Sequence, residues 1–243
     1  MTDGIVVSFK DAVLRCSDAQ TLWPSEWISD AILVFFYEVL AQRYPAVLRR
    51  GRISLWQPAV VELMCSLGEY AEGVLPPPSD IAFLPISDRY MDPSSISTHW
   101  SLLVIAPRTA YHLDSLSTSN ETAARFTLAQ FQACYRPPSS PSMAFDEVAM
   151  PLQSNAHDCG LYPIFLTHTV LKLQNEQEQQ CDLKEAIESA AQRATPDTID
   201  RLRRQCNEWI DRWALLLEEA KFPMEEWDQV QANIGMWEEV NVI

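Results

Sequence analysis

The chain has 243 residues, enough for one large domain or two small ones, and its 47% hydrophobic and 21% charged residues are ordinary for a soluble globular protein. A net charge of −15 argues against nucleic-acid binding, which needs clustered Lys and Arg, and no apolar run approaches the roughly 18 residues of a membrane span. The six cysteines (16, 65, 134, 159, 181 and 206) form no C-x-x-C pair and, with only four histidines, argue against a zinc site or a disulfide framework.

The N-terminus, MTDGIVVSFKDAVLR, lacks the basic start and long apolar core of a secretory signal. The expectation is a cytoplasmic or nuclear protein, or both, with reduced cysteines buried as small apolar residues. IVVSF reads as a short strand. Residues 25–42, SEWISDAILVFFYEVLAQ, read as a largely buried helix with Ser25 as N-cap. A second helix starts near Pro58, which a first turn tolerates, and runs through VVELMCSL. PPPSD (76–80) breaks the chain at the surface before the apolar strand IAFLPI.

HWSLLVI (99–105) and AYHLDSL (110–116) read as strands, ETAARFTLAQFQACY as an amphipathic helix, RPPSSPS (136–142) as a loop and MAFDEVAM as a strand. Helices follow at about 160–175 and at 197–220, where Ile199, Leu202, Cys206, Trp209, Ile210 and Trp213 recur at helical spacing. Strands and helices are mixed without regular alternation, so the fold class is α+β. One domain over 1–220 is expected, followed by an acidic extension, 221–243. That extension carries Trp227 and Trp237, which suit docking onto the domain.

Between the two central strands lies Ala106-Pro107-Arg108-Thr109. Proline at the second position suits a type I turn, around which four-residue hairpin loops are often built. Residue 105 then faces 110, Ser101 lies opposite Asp114, and His99 becomes a diagonal neighbour of Asp114 on the same face. A one-residue slip would separate them, so the pairing depends on the turn. A carboxylate beside an imidazole fixes its tautomer and stabilises the imidazolium, although a satisfied pair at a strand edge would have the same pattern. His112 reads as a packing or supporting residue, and His168 as a core histidine.

In QSNAHDCGLY, residues 153–162, Cys159 stands at the start of an apolar helix, whose free N–H groups and dipole favour a thiolate. A histidine partner makes such a thiol a nucleophile at neutral pH. Gly160 removes bulk where a substrate backbone approaches, and Asp158 is a candidate cap. Gln153 offers the side-chain N–H that an oxyanion hole needs. His157 is close in sequence but has no carboxylate partner that spacing identifies, so it ranks below His99 as the base. Pro163 implies that the helix starts after Cys159 or that its first turn is irregular.

T-H-W-S-L-L-V-I, H-L-D-S and P-L-Q-S-N-x-x-D-C-G, in that order, resemble the Ulp-type sentrin-specific cysteine proteases. L-W-P-S-E-W-I-S-D looks like the family's segment opening its first long helix, with Ser29 in place of an asparagine. The resemblance covers most of residues 5–170. It implies a papain-like fold, a central mixed sheet flanked by helices, and no cofactor or metal. It implies His99 as general base, Asp114 as its orienting partner, Cys159 as nucleophile, and Gln153 with the Cys159 N–H as oxyanion donors. Trp27 and Trp100 match the walls of the passage for a modifier's Gly-Gly tail, and Asp30 an acidic residue beside it.

The short chain and the HWSLLV form look most like the deneddylase branch. That branch cleaves a Nedd-type ubiquitin-like modifier from its precursor and from lysines of cullins and other proteins. The expected partner is that modifier and its conjugates, met by a monomer. Other readings are a SUMO-specific or dual-specificity protease, which would include ubiquitin among its partners, and a catalytically silent modifier-binding module. An acetyltransferase lacks support, because no basic phosphate-binding stretch is evident.

Overall fold

The computed structural model describes residues 3–71, 73–92, 94, 96–136, 142–176 and 182–220, with the side chains of 69 and 216–220 left aside. In chain order the elements are β1 (Ile5–Phe9), β2 (Ala12–Arg15), α1 (Cys16–Gln20), α2 (Asp30–Arg43), α3 (Pro45–Gly51), β3 (Ile53–Leu55), α4 (Pro58–Leu67) and β4 (Ile81–Ser87). Then come β5 (Trp100–Ile105), β6 (Thr109–Leu113), α5 (Glu121–Tyr135), β7 (Ala144–Glu147), α6 (Leu161–Glu176), α7 (Leu183–Arg193) and α8 (Pro196–Ala220).

β1 and β2 form a separate hairpin, and the main sheet has the order β3-β4-β5-β6-β7. Its outer pairs, β3–β4 and β6–β7, are parallel, and its central pairs are antiparallel. The sheet is mixed and the class α+β. Alternation along the strands explains two cores. Phe83, Leu102 and Val104 face α2, α6, α7 and α8, whereas Ala82, Leu84, Leu103 and Ile105 face α4 and α5. With helices on both faces, β4 and β5 must be apolar on both sides, hence the nearly unbroken IAFLPI and SLLVI.

α6 is the central helix, with every side chain from Leu161 to Leu171 buried. α8 turns one stripe inward through Ile199, Leu202, Cys206, Ile210 and Trp213. One element starts later than expected. The helix read over 25–42 starts at Asp30, with Ser29 rather than Ser25 as N-cap. Ser25 has a left-handed backbone (φ +69°), and residues 25–29 form a loop that buries Ile28 but leaves Trp27 half-exposed. β2, α1, α3, β3 and α7 were not anticipated. α7 shows the core only Ala186, Ile187, Ala190 and Ala191, an apolar face too small to stand out in the sequence. The acidic extension and most of the Pro/Ser-rich loop near 136–142 lie outside the described residues.

Candidate active site

The β5–β6 register is Leu102↔Leu113 through Ile105↔Ala110, the pairing a 106–109 turn dictates. His99 directly precedes β5 and Asp114 directly follows β6. That register brings His99 Nε2 to 2.6 Å from Asp114 Oδ1, both side chains buried. A carboxylate can only accept, so His99 donates Nε2–H, and Nδ1 is left to exchange a proton with another group.

The loop after β6 wraps the carboxylate. Leu116 N–H donates to Oδ1 and Asn120 N–H to Oδ2, each at 2.8 Å. Burial alone would raise the Asp114 carboxyl, but His99 and these amides hold it below its ordinary value. Burial also works against a charged His99. The Asp114 carboxylate and the neighbouring Cys159 overcome it and raise the imidazole from 6.5 to about 9. His99 Nδ1 is buried and has no well-aligned hydrogen bond, as suits a nitrogen whose neighbour is the Cys159 sulfur.

Cys159 is buried in a turn just before α6. Leu161 N–H donates to the Asp158 carbonyl and Tyr162 N–H to that of Cys159, so the helix proper begins at Leu161. Pro163 is then its third residue, where the missing N–H would have had no intrahelical partner, and the proline is harmless. The Asp158 side chain does not cap the helix. Its Oδ1 accepts from Arg203 Nε and its Oδ2 from Asn155 Nδ2, both at 2.7 Å.

Gly160 also differs from expectation. A Cβ there would lie 2.6 Å from Ile28 Cβ, so the glycine admits Ile28 of the 25–29 loop rather than a substrate. Gly160→Ala must push that loop outward. The expected cost is about 1–3 kcal/mol, read as a lowered melting temperature with a raised KM.

Gln153 is held at both ends of its amide. Ser115 Oγ donates to Oε1 at 2.7 Å, and Nε2 donates to the Asn155 carbonyl at 2.7 Å. One Nε2 hydrogen is thereby used and the second remains for another acceptor. His112 is buried between Ser101 Oγ and the Glu147 carboxylate, each 2.9 Å away, and supports the hairpin from behind. His168 is buried in the core, which lowers it to about 3. His157 lines a different cavity from the one that reaches Cys159.

A cleft of about 190 Å³ is lined by Cys159, Trp27, Asp30, Trp100, Tyr90 and the Glu62–Arg89 ion pair, among others. Trp27, Asp30 and Trp100 are thus brought to one opening with Cys159. Trp100 is half-buried, its ring edge-on to Tyr90. Among the described residues no three His, Cys, Asp or Glu side chains are placed to hold a metal ion.

Asn120 and Asp88 escaped the sequence reading. Asn120 Nδ2 reaches the carbonyls of Ile86 and His99 and the Ser101 hydroxyl, while Asp88 Oδ1 accepts from the Thr98 and His99 amides. Both fix the backbone that carries His99, and neither sits in a local pattern that announces it.

Residues 75–205 match the model of the Ulp1 protease family, C-terminal catalytic domain. The chain is 31% identical to human (Homo sapiens) sentrin-specific protease 8 over 219 residues, covering 86% of this chain and 96% of that protein. It is 24% identical to NEDD8-specific protease 1 of Arabidopsis thaliana over 220 residues, 84% and 91% of the two chains. The yeast Ulp1 protease domain, solved in complex with the SUMO ortholog Smt3, superposes with a TM-score of 0.57 at 19% identity, over 88% of this chain and 90% of that one. That likeness shows the fold. Together with the family match and the near-full-length relatives, it shows that the chain belongs to the Ulp1 family of cysteine proteases.

Proposed function

We propose that the chain is a deneddylase, cleaving after the C-terminal Gly-Gly of a Nedd-type ubiquitin-like modifier in its precursor and in its lysine conjugates, cullins among them. The observation that carries the chemistry is the buried His99–Asp114 pair beside Cys159, which lines a cleft together with Trp27 and Trp100. The modifier is inferred from the near-full-length relatives, whose names specify sentrin and NEDD8.

The Cys159 thiolate attacks the terminal glycine carbonyl. The second Gln153 N–H and the Cys159 backbone N–H receive the developing oxyanion. His99 gives its Nδ1 proton to the leaving lysine amine, and a thioester remains. Water, losing a proton to His99, then hydrolyses the thioester and frees the modifier's carboxylate. Flat walls at Trp27 and Trp100 suit two glycines and exclude larger side chains, and Asp30 offers negative charge to a basic tail. A monomer acting in the cytoplasm, the nucleus or both completes the reading.

His99 must carry a proton to serve the leaving amine, so the rate is expected to fall as pH rises through about 9. The same pair stabilises the fold. Its folded value lies above the ordinary 6.5, so its contribution is complete below about pH 6.5 and is lost as pH rises through about 9. A kcat/KM profile and melting curves across that window check both.

Hydrolysis of C-terminal aminocoumarin derivatives of Nedd-type, SUMO and ubiquitin modifiers tests the specificity. Nedd-type cleavage at least about tenfold faster is expected, since a few altered tail contacts separate substrates by that much. Faster SUMO cleavage would replace the modifier assignment. No cleavage of any of them would leave a silent binding module.

A further inference from the structure

Arg203 lies on the inward stripe of α8, one turn from Ile199 and from Cys206, and is buried although charged. Its guanidinium gathers two separate stretches of chain onto α8. Nε donates to Asp158 Oδ1 at 2.7 Å, Nη2 to the His157 carbonyl at 3.0 Å, and Nη1 to the carbonyls of Thr21 and Trp23 at 2.9 and 3.0 Å. Asp158 and His157 immediately precede Cys159. Thr21 and Trp23 begin the loop that carries Trp27. We propose that Arg203 is a positioning residue that sets the Cys159 turn and the Trp27 wall of the cleft against each other.

The bonds on either side extend this tie. Asn155 Oδ1 accepts the amides of His157 and Asp158 at 3.0 Å, and Asn155 Nδ2 holds the other oxygen of Asp158, so the turn before Cys159 closes on itself. The Asn155 carbonyl in turn receives Gln153 Nε2. On the other side, Thr21 Oγ1 accepts Ser29 N–H, and Ile28 presses on Gly160. One guanidinium therefore fixes the approach to the thiol, the orientation of Gln153 and the loop of Trp27.

A buried ion pair is a poor source of net stability, because desolvation offsets the attraction. What a planar fork adds is direction, fixing several acceptors at once in a way an ammonium cannot. Arg203 touches no reacting group, so its effect passes through Asp158, His157 and the two N-terminal carbonyls. Beside it opens a cavity of about 440 Å³, lined by Leu22, Pro24, Asn155, His157 and Asp200 among others, through which a small cation can enter.

The inference rests on Cys159 being the nucleophile and uses the full chain with a Nedd-type aminocoumarin substrate. Arg203→Ala and Arg203→Lys are assayed well below their own melting temperatures, with rates expressed per folded enzyme. Both are expected to lose about 10²-fold in kcat, as a displaced nucleophile demands, with KM raised as well because the Trp27 loop loses its tie. Millimolar guanidinium chloride is expected to restore part of the kcat of Arg203→Ala, and sodium chloride of equal concentration none. If kcat of the folded variants stays within about twofold of the parent, the role is structural only and the proposal is overturned. Should Arg203→Ala not fold, Arg203→Lys decides by the same measure.

Alkylation of Cys159 by iodoacetamide, followed on its peptide by mass spectrometry, needs no modifier. If the parent cleaves no modifier, the deneddylase reading fails, while the alkylation rates of parent and variants still test Arg203. A rate slowed in the variants supports positioning, and an unchanged rate overturns it.

Discussion

Cys159→Ala is expected to lower kcat by about 10⁶-fold, as loss of a nucleophile that works as a unit with its base does. The melting temperature should barely move, because the change removes one sulfur from a turn held by Asn155, Asp158 and Arg203 rather than by the thiol. His99→Ala should cost nearly as much activity, and the double variant no more than either single one. Non-additivity of that kind is the kinetic signature of one proton-sharing pair. The two single variants should differ in stability. Removing His99 strands the Asp114 carboxylate in a buried site with only two amide donors, and the fold pays in melting temperature. Purified variants assayed for hydrolysis and by thermal denaturation check both statements. Residual turnover of Cys159→Ala within about 10²-fold of the parent would contradict the first.

Asp114→Asn is the second large effect, with an expected loss of about 10⁴-fold in kcat. The carboxylate accepts from three donors: His99 Nε2–H and Leu116 N–H on one oxygen, Asn120 N–H on the other. An amide of the same shape has only one accepting end. If its oxygen serves His99 and Leu116, its NH₂ meets the Asn120 N–H, donor against donor. If it flips, the NH₂ faces His99 Nε2 and Leu116. The imidazole must then put its proton on Nδ1, and the nitrogen beside Cys159 can no longer accept one. Either outcome also removes the Asp114 charge, which together with Cys159 raises His99 to about 9, so the fall in residual activity should move to lower pH. Nitrogen-15 spectra of the imidazole, read beside pH–rate profiles, report tautomer and titration together. Unchanged tautomer and undiminished kcat would show that Asp114 does not orient the base.

The hairpin explains why much of this site could be read from the sequence. A four-residue turn fixes the register, the register fixes faces, and faces bring His99 to Asp114, an argument that needs only neighbours. Cys159 stood out by its place before an apolar helix, the family resemblance then tied it to His99 and Asp114, and the folded chain places it at the cleft shared by Trp27, Asp30 and Trp100. Local patterns failed where tertiary contacts decide. Ser25 looked like an N-cap, but Ile28 must reach Gly160, which keeps residues 25–29 out of the helix and Trp27 at the cleft. Gly160 itself looked like space for a substrate and is filled by Ile28. Arg203 left one trace, a charge inside the apolar stripe Ile199–Cys206–Ile210, and its partners lie far off in sequence at Thr21, Trp23 and Asp158. α7 went unseen because alanine buries well without looking apolar enough.

The most direct measurement is the site of covalent capture. The parent chain is incubated with a Nedd-type modifier whose C-terminus carries a thiol-reactive group, and the adduct is digested and mapped by mass spectrometry. One modifier per chain is expected, on Cys159, with labelling lost in Cys159→Ala and kept in a variant of the exposed Cys16. An adduct on another cysteine, or no adduct at all, would contradict the assignment of Cys159 as the nucleophile of a deneddylase.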